Sequence, residues 1–188
     1  GRGLQRRGKP MILAANKADL ATQAQLDRLR TGAGYRVVAT SSEYELALRR
    51  AAKAGLVEYE SGERSFRVRE ASTLSPAQGK ALDRVRAFLE ERGPTGVQAC
   101  LEEAVRDLLG LIVVYPVEDE THWTDKKGNV LPDAFLVPRG STAQDVAFKV
   151  HTELGTHFIR AINGRTKMVV GHDHLVQDGE ILKIVAKV

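Results

Sequence analysis

The chain has 188 residues, 43% of them hydrophobic, which is enough apolar surface for one sizeable core or two modest ones. No stretch approaches the roughly 18 uninterrupted apolar residues of a membrane span, and a lone cysteine, Cys100, excludes an internal disulfide and suits a reducing cytoplasm. The net charge of +4 excludes capture of nucleic acid by gross attraction, because Arg2, Arg6, Arg7 and Lys9 carry all of it, while residues 11–110 hold 15 basic and 14 acidic side chains and residues 111–188 hold 9 and 10.

Met11 to Ala15 is an apolar run ending in Asn16, Lys17 and Asp19, the pattern of a buried strand that delivers a polar loop at its carboxyl end. Thr22 to Thr31 reads as a short helix closed by Gly32 and Gly34. Tyr35 to Ala39 is a second strand, leading through Thr40, Ser41, Ser42 and Glu43 into a helix marked by Leu46, Leu48, Ala51 and Ala52. Strand, polar loop and helix occur twice, which predicts a parallel sheet. Residues 56–70 suit a hairpin, and Ser75 with Pro76 and Gln78 is a capping-box start for a helix to about Arg92. Thr95 and Gln98 repeat that spacing, so a last helix is expected with Val97, Leu101, Val105, Leu108 and Leu109 on one face and Cys100 as a buried small hydrophobe.

From Leu111 the pattern turns to strands, over Leu111 to Val117 and Asn129 to Val137. Ser141 and Thr142 precede a stripe of Val146, Val150, Leu154, Phe158 and Ile159, read as one helix to about Ile162. Lys167 to Val170 and Glu180 to Val188 complete a β-grasp arrangement, in which a helix covers one face of a small mixed sheet. His172, Asp173 and His174 fit a polar hairpin rather than a zinc site. His151 and His157 are six apart and do not share a helix face. Trp123 is either a partner contact or a turn packed on its own domain. Glu43 and Glu45 are helix-start carboxylates that complement the helix dipole and need no catalytic role.

Asn16, Lys17, Ala18 and Asp19 carry the most chemistry. A carboxylate is acceptor-only and takes two N–H bonds from guanine at once, from N1 and the exocyclic amine. Adenine offers an acceptor at N1 and no amine at the corresponding carbon. Lys17 would lay its stem over the base, Asn16 would tie neighbouring loops, and the small residues Ser41 and Ser42 would let backbone N–H groups approach the guanine O6. Gly3, Gly8 and Lys9 satisfy the spacing of a phosphate-binding loop, but Pro10 replaces its Ser or Thr and no strand precedes it, so it is read as a decoy.

The two polar loops resemble the fourth and fifth motifs of translation-factor-type GTPases, with Ser42 where that pattern usually has alanine. Residues 111–188 resemble the TGS domain, on Leu111 to Pro116, Phe135 to Gly140, Ala147 to Leu154, and Asp178 with Gly179. Together with Val114 to Glu120, the chain resembles archaeal and eukaryotic relatives of the YchF branch of Obg-related GTPases. That resemblance implies an α/β carboxy-terminal part of a P-loop GTPase G domain over residues 1–110, a parallel sheet with helices, followed by a ubiquitin-like β-grasp TGS domain over 111–188. It also implies that the phosphate and magnesium motifs lie amino-terminal to the first residue here, so that GTP or GDP binds this chain weakly or not at all and is not hydrolysed by it. The implied role is base recognition and output in a cytoplasmic GTP-binding switch around the ribosome or RNA, with no membrane partner. Bacterial YchF proteins lack a regular NKxD and prefer ATP, whereas Lys17 and Asp19 imply that guanine is kept. The alternative is a stand-alone TGS interaction module that binds protein or RNA beside a non-functional G-domain remnant.

Overall fold

The computed structural model describes residues 10–70 and 73–187, so the amino-terminal basic cluster and the Gly3–Lys9 spacing lie outside the described residues. The chain divides between Ala104 and Val105 into two compact units. Among the described residues no helix is long and apolar enough to cross a membrane.

In the first unit β1 (Ile12–Ala15) runs parallel to β2 (Arg36–Ala39), in a register that sets Ile12 opposite Arg36 and Ala15 opposite Ala39. The crossover between them is α1 (Gln23–Ala33), whose start is fixed by a reciprocal pair: the Thr22 hydroxyl accepts from the Gln25 amide and the Gln25 side chain accepts from the Thr22 amide. Gly34 ends it in the left-handed region at φ 66°. β2 leads into α2 (Ser42–Lys53), then a short antiparallel hairpin of β3 (Val57–Glu58) and β4 (Arg67–Val68), then α3 (Pro76–Arg92), capped by Ser75 and Gln78 as its sequence predicts. Leu48, Val57, Leu82, Val85 and Leu89 form the core between α2, the hairpin and α3, each contributing about 1.5–3 kcal/mol by its burial. Tyr44 meets Phe88 edge-on at 5.3 Å between centroids.

The expected capping box at Thr95 does not form. Helix α4 (Val97–Glu102) starts instead from Gly96, without a side-chain cap, and runs into a π-helical turn (Glu103–Leu108). The Thr95 hydroxyl donates to the Glu45 carboxylate, a charged acceptor that makes a stronger bond than a neutral local partner would. The expected apolar face of this helix is not buried: Leu101 is 59% exposed and Cys100 only half-buried.

The second unit is a five-stranded sheet in the order β6-β5-β9-β7-β8, built from β5 (Leu111–Val117), β6 (Phe135–Pro138), β7 (Phe158–Asn163), β8 (Val169–Val170) and β9 (Glu180–Ala186). β5 and β9 are parallel at its centre and the other pairs antiparallel. One face is covered by α5 (Ala143–Val150), capped by Thr142 and Asp145, over a core of Ile112, Val114, Val137, Val146, Ala161 and Leu182. The single helix expected to reach Ile162 is broken at His151, whose φ of −160° is extended; a short α6 (Thr152–Thr156) follows, and Phe158 and Ile159 belong to β7. An apolar pair at that spacing fits helix or strand alike, and pairing with β9 decides for strand. Likewise the strand expected from Asn129 begins only at Phe135, after Pro132.

Trp123 packs on its own unit, donating its indole N–H to the Gly164 carbonyl at 3.0 Å with the Arg165 guanidinium 5.5 Å from its ring. His174 bonds through Nε2 to the buried Glu180 carboxylate at 2.8 Å. Among the described residues no group of three or more His, Cys, Asp or Glu is placed to hold a metal ion.

Candidate functional site

The parallel ladder of β1 and β2 continues past both strands into two adjoining loops. Thr40 donates its amide to the Ala15 carbonyl at 2.9 Å and receives the Ala18 amide on its own carbonyl at 3.0 Å, so residues 16–19 are laced to residues 40–42. Asn16 and Asp19 then reach across. The Asn16 Oδ1 accepts the Ser42 amide at 3.1 Å, and the Asp19 Oδ1 accepts the Ser41 hydroxyl at 2.7 Å. Lys17 occupies the same turn, exposed, at φ 63°. A lysine in the left-handed region costs about 1 kcal/mol, and such local strain is tolerated where the surrounding bonds over-determine it.

Of the residues singled out from the sequence, Asn16 pairs with Ser42 and Asp19 with Ser41, while Lys17, between Asn16 and Asp19 in the chain, is exposed. Ser41 is fully buried and Asp19 half-buried. An ionised carboxylate has about four lone-pair sites. The Ser41 hydroxyl takes one on Oδ1, and the carboxylate retains capacity for two further N–H donors from a planar ring. Beside this pair the Thr40 hydroxyl is buried with no hydrogen-bond partner among the described residues, a second departure from a relaxed loop.

Residues distant in sequence hold the loops from behind. The Ser41 amide donates to the Thr95 carbonyl at 2.8 Å, and Arg92 Nη1 donates to the carbonyls of Ala18 at 2.9 Å and Ala21 at 2.7 Å. Gly93 and Gly96 around Pro94 signal a turn there, but nothing in their spacing says what the turn touches.

Glu45, read from the sequence as a carboxylate serving the helix dipole, is instead buried at 4% exposure. It accepts from Thr95 Oγ1 at 2.5 Å, Ser61 Oγ at 2.6 Å and the Tyr59 hydroxyl at 2.7 Å. Burial pushes its pKa up, but the hydroxyls of Ser61, Thr95 and Tyr59 outweigh that and hold it below the ordinary value. Burial and the Glu45 bond push the Tyr59 phenol up to about 12, so it remains a donor at neutral pH. Glu45→Ala strands the buried Thr95 hydroxyl and removes the acceptor of the half-buried Tyr59 and exposed Ser61 hydroxyls, and we expect a loss of about 3 kcal/mol, read as a fall of roughly 12–20 °C in the melting of the first unit. Because the folded carboxyl has the lower pKa, the stabilisation is full above the ordinary value of 4.5 and lost as pH falls through the depressed one. The deficit of the variant should therefore shrink when melting is repeated below that pH.

Several known proteins are similar to this chain along most of its length. A family model described as Obg-like GTPase YGR210-like, G4 motif-containing domain matches residues 14–119, and a TGS domain model matches residues 122–186. A GTP-binding protein of Methanocaldococcus jannaschii is 49% identical over 97% of this chain and 47% of its own length. One from Schizosaccharomyces pombe is 28% identical over 92% of this chain and 42% of its own length. The chain thus spans about half the length of the curated relatives it matches. The crystal structure of a GTP binding protein from Pyrococcus horikoshii OT3 superposes on 98% of the chain and 48% of its own, with a TM-score of 0.70 at 46% identity. The YchF GTPase of Schizosaccharomyces pombe, at 11% identity and a TM-score of 0.55 over 94% of this chain and 43% of its own, shares the fold.

Proposed function

Because the chain belongs to the Obg-like GTPase family, in its YGR210-like, G4 motif-containing group, and carries a TGS domain, we propose that Asn16, Lys17, Asp19, Ser41 and Ser42 read the guanine base of GTP or GDP. The observation that supports this reading is the 2.7 Å bond from Ser41 to Asp19, which orients a half-buried carboxylate in the loop after β1. Asp19 accepts from guanine N1–H and the exocyclic amine, and the Lys17 stem covers a ring face. The Ser41 and Ser42 amides expected to meet O6 are engaged by the Thr95 carbonyl and Asn16 Oδ1, so a bond to O6 requires one of those partners to be exchanged. With adenine the carboxylate would face a lone pair and lose a buried bond, a discrimination of about 1–3 kcal/mol.

Phosphates and Mg2+ fall, in this reading, to the part of the relatives' length that the chain does not span. This chain alone is expected to bind GDP feebly and to release no phosphate from GTP. The TGS domain serves as an output surface toward the ribosome or RNA in the cytoplasm, an assignment that follows the family resemblance.

The test is a titration of isotope-labelled chain with GDP and, separately, ADP at millimolar concentration, followed by amide chemical shifts. GDP should move residues 16–19 and 40–43, and ADP should move them much less. Equal shifts with both nucleotides, or none with either, would overturn the base-reading role and leave the TGS unit as an interaction module.

A further inference from the structure

Five residues, Arg92 to Gly96, touch both candidate base loops. Arg92 closes α3 with its side chain only 23% exposed, and one of its nitrogens bonds the carbonyls of Ala18 and Ala21, which bracket Asp19 and Leu20. Three residues on, the Thr95 carbonyl holds the Ser41 amide at 2.8 Å while the Thr95 hydroxyl is anchored on Glu45. Gly96 then carries the backbone against the Ala39 carbonyl, so closely that a Cβ there would stand 1.9 Å from the oxygen. The segment thereby fixes the backbone on either side of the Asp19–Ser41 bond. A hydroxyl–carboxylate bond of 2.7 Å is lost with about 1 Å of displacement.

We propose that Arg92 and Thr95 are positioning residues for base selection: they hold the loops of Asp19 and Ser41 in mutual register without touching the nucleotide. The proposal rests on the guanine reading above. The chemistry suits the task, since Nη1 carries two N–H donors held in the plane of the guanidinium and gives one to each carbonyl, a geometry that a freely rotating amine does not fix. Arg92 also terminates the helix whose Leu82, Val85 and Leu89 pack against the hairpin. A shift of that helical core would move Ala18 and Asp19 together, so the hairpin and α3 become a lever on guanine affinity.

The experiment compares wild-type chain with Arg92→Met, Arg92→Lys, Thr95→Val and Thr95→Ser by two readouts. Amide hydrogen exchange without nucleotide should show Ala18 and Ser41 exchanging about tenfold faster in Arg92→Met, with Val85 and Leu89 unchanged. The GDP-to-ADP affinity ratio should fall about tenfold in Arg92→Met and Thr95→Val, the effect of one lost hydrogen bond. Arg92→Lys should recover part of it and Thr95→Ser all of it. Anchoring of α3 alone would lower the melting temperature and leave the ratio untouched, and that outcome overturns the proposal. If wild type itself prefers neither nucleotide, the guanine reading fails and selectivity with it, a result distinguishable from a selective wild type whose ratio ignores Arg92.

Discussion

Asp19→Asn is expected to turn the chain from guanine toward xanthine. Guanine presents two adjacent donors, N1–H and the C2 amine, and a carboxylate accepts both. An amide presents one acceptor and one donor, so its N–H2 would meet the guanine amine donor to donor. Xanthine keeps the N1–H but carries an oxygen at C2, which matches the amide. The Ser41 hydroxyl, 2.7 Å from Oδ1 in the wild type, still finds an acceptor in asparagine, so the loop stays in place. Loss of a charge-assisted bond with the remaining donor stranded costs about 2–3 kcal/mol, roughly a hundredfold in GDP affinity. Competition between xanthosine and guanosine diphosphates, read from amide shifts of residues 16–19, measures the switch. A variant that still prefers GDP would show that Asp19 does not read the base.

Gly96→Ala should unfold the first unit under conditions where the wild type is fully folded. Gly96 has φ 77°, where an L-residue costs about 1–2 kcal/mol. Steric overlap adds more: the new carbon would lie 1.9 Å from the Ala39 oxygen and 3.1 Å from the Ala39 carbonyl carbon, atoms of a paired strand that cannot rotate away. Forced repacking of that kind costs about 1–3 kcal/mol, and the sum is a large share of a typical stability of about 5–15 kcal/mol. Gly55→Ala separates the two contributions, because Gly55 has φ 72° with nothing within 4 Å of the added carbon. Thermal melting should place Gly55→Ala a few degrees below wild type and Gly96→Ala about 15 °C or more below it. Equal falls would mean that the approach of residue 96 to β2 is loose, and would weaken the case for Thr95 as a buttress.

The features legible before folding were those whose partners lie within about three residues. The capping box expected at Ser75 and Gln78 closes, and Thr22 with Gln25 and Thr142 with Asp145, not singled out as boxes beforehand, close in the same way, because the competing partners are a few bonds away and the geometry is local. The run from Met11 into Asn16–Asp19 was legible for a related reason, since an apolar strand ending in polar residues presents them at the carboxyl edge of a sheet, but the expected burial did not follow: β1 is half-buried, with Ala14 exposed.

Where a side chain chooses among partners distant in the chain, local reading went astray. Thr95 has the spacing of a helix cap, yet its hydroxyl goes to a carboxylate fifty positions earlier that is buried by α2 and the hairpin. Phe158 and Ile159 extend a helical stripe on paper, and β9 recruits them into a strand. Sequence by itself determined the strand-loop-helix repeats, the β-grasp plan of the second unit, and the donor and acceptor types at Asn16, Asp19, Ser41 and Ser42. Only tertiary structure decided that Arg92, Thr95 and Glu45 stand behind those loops, because the bonds joining them depend on burial and on a meeting of segments that no periodicity encodes.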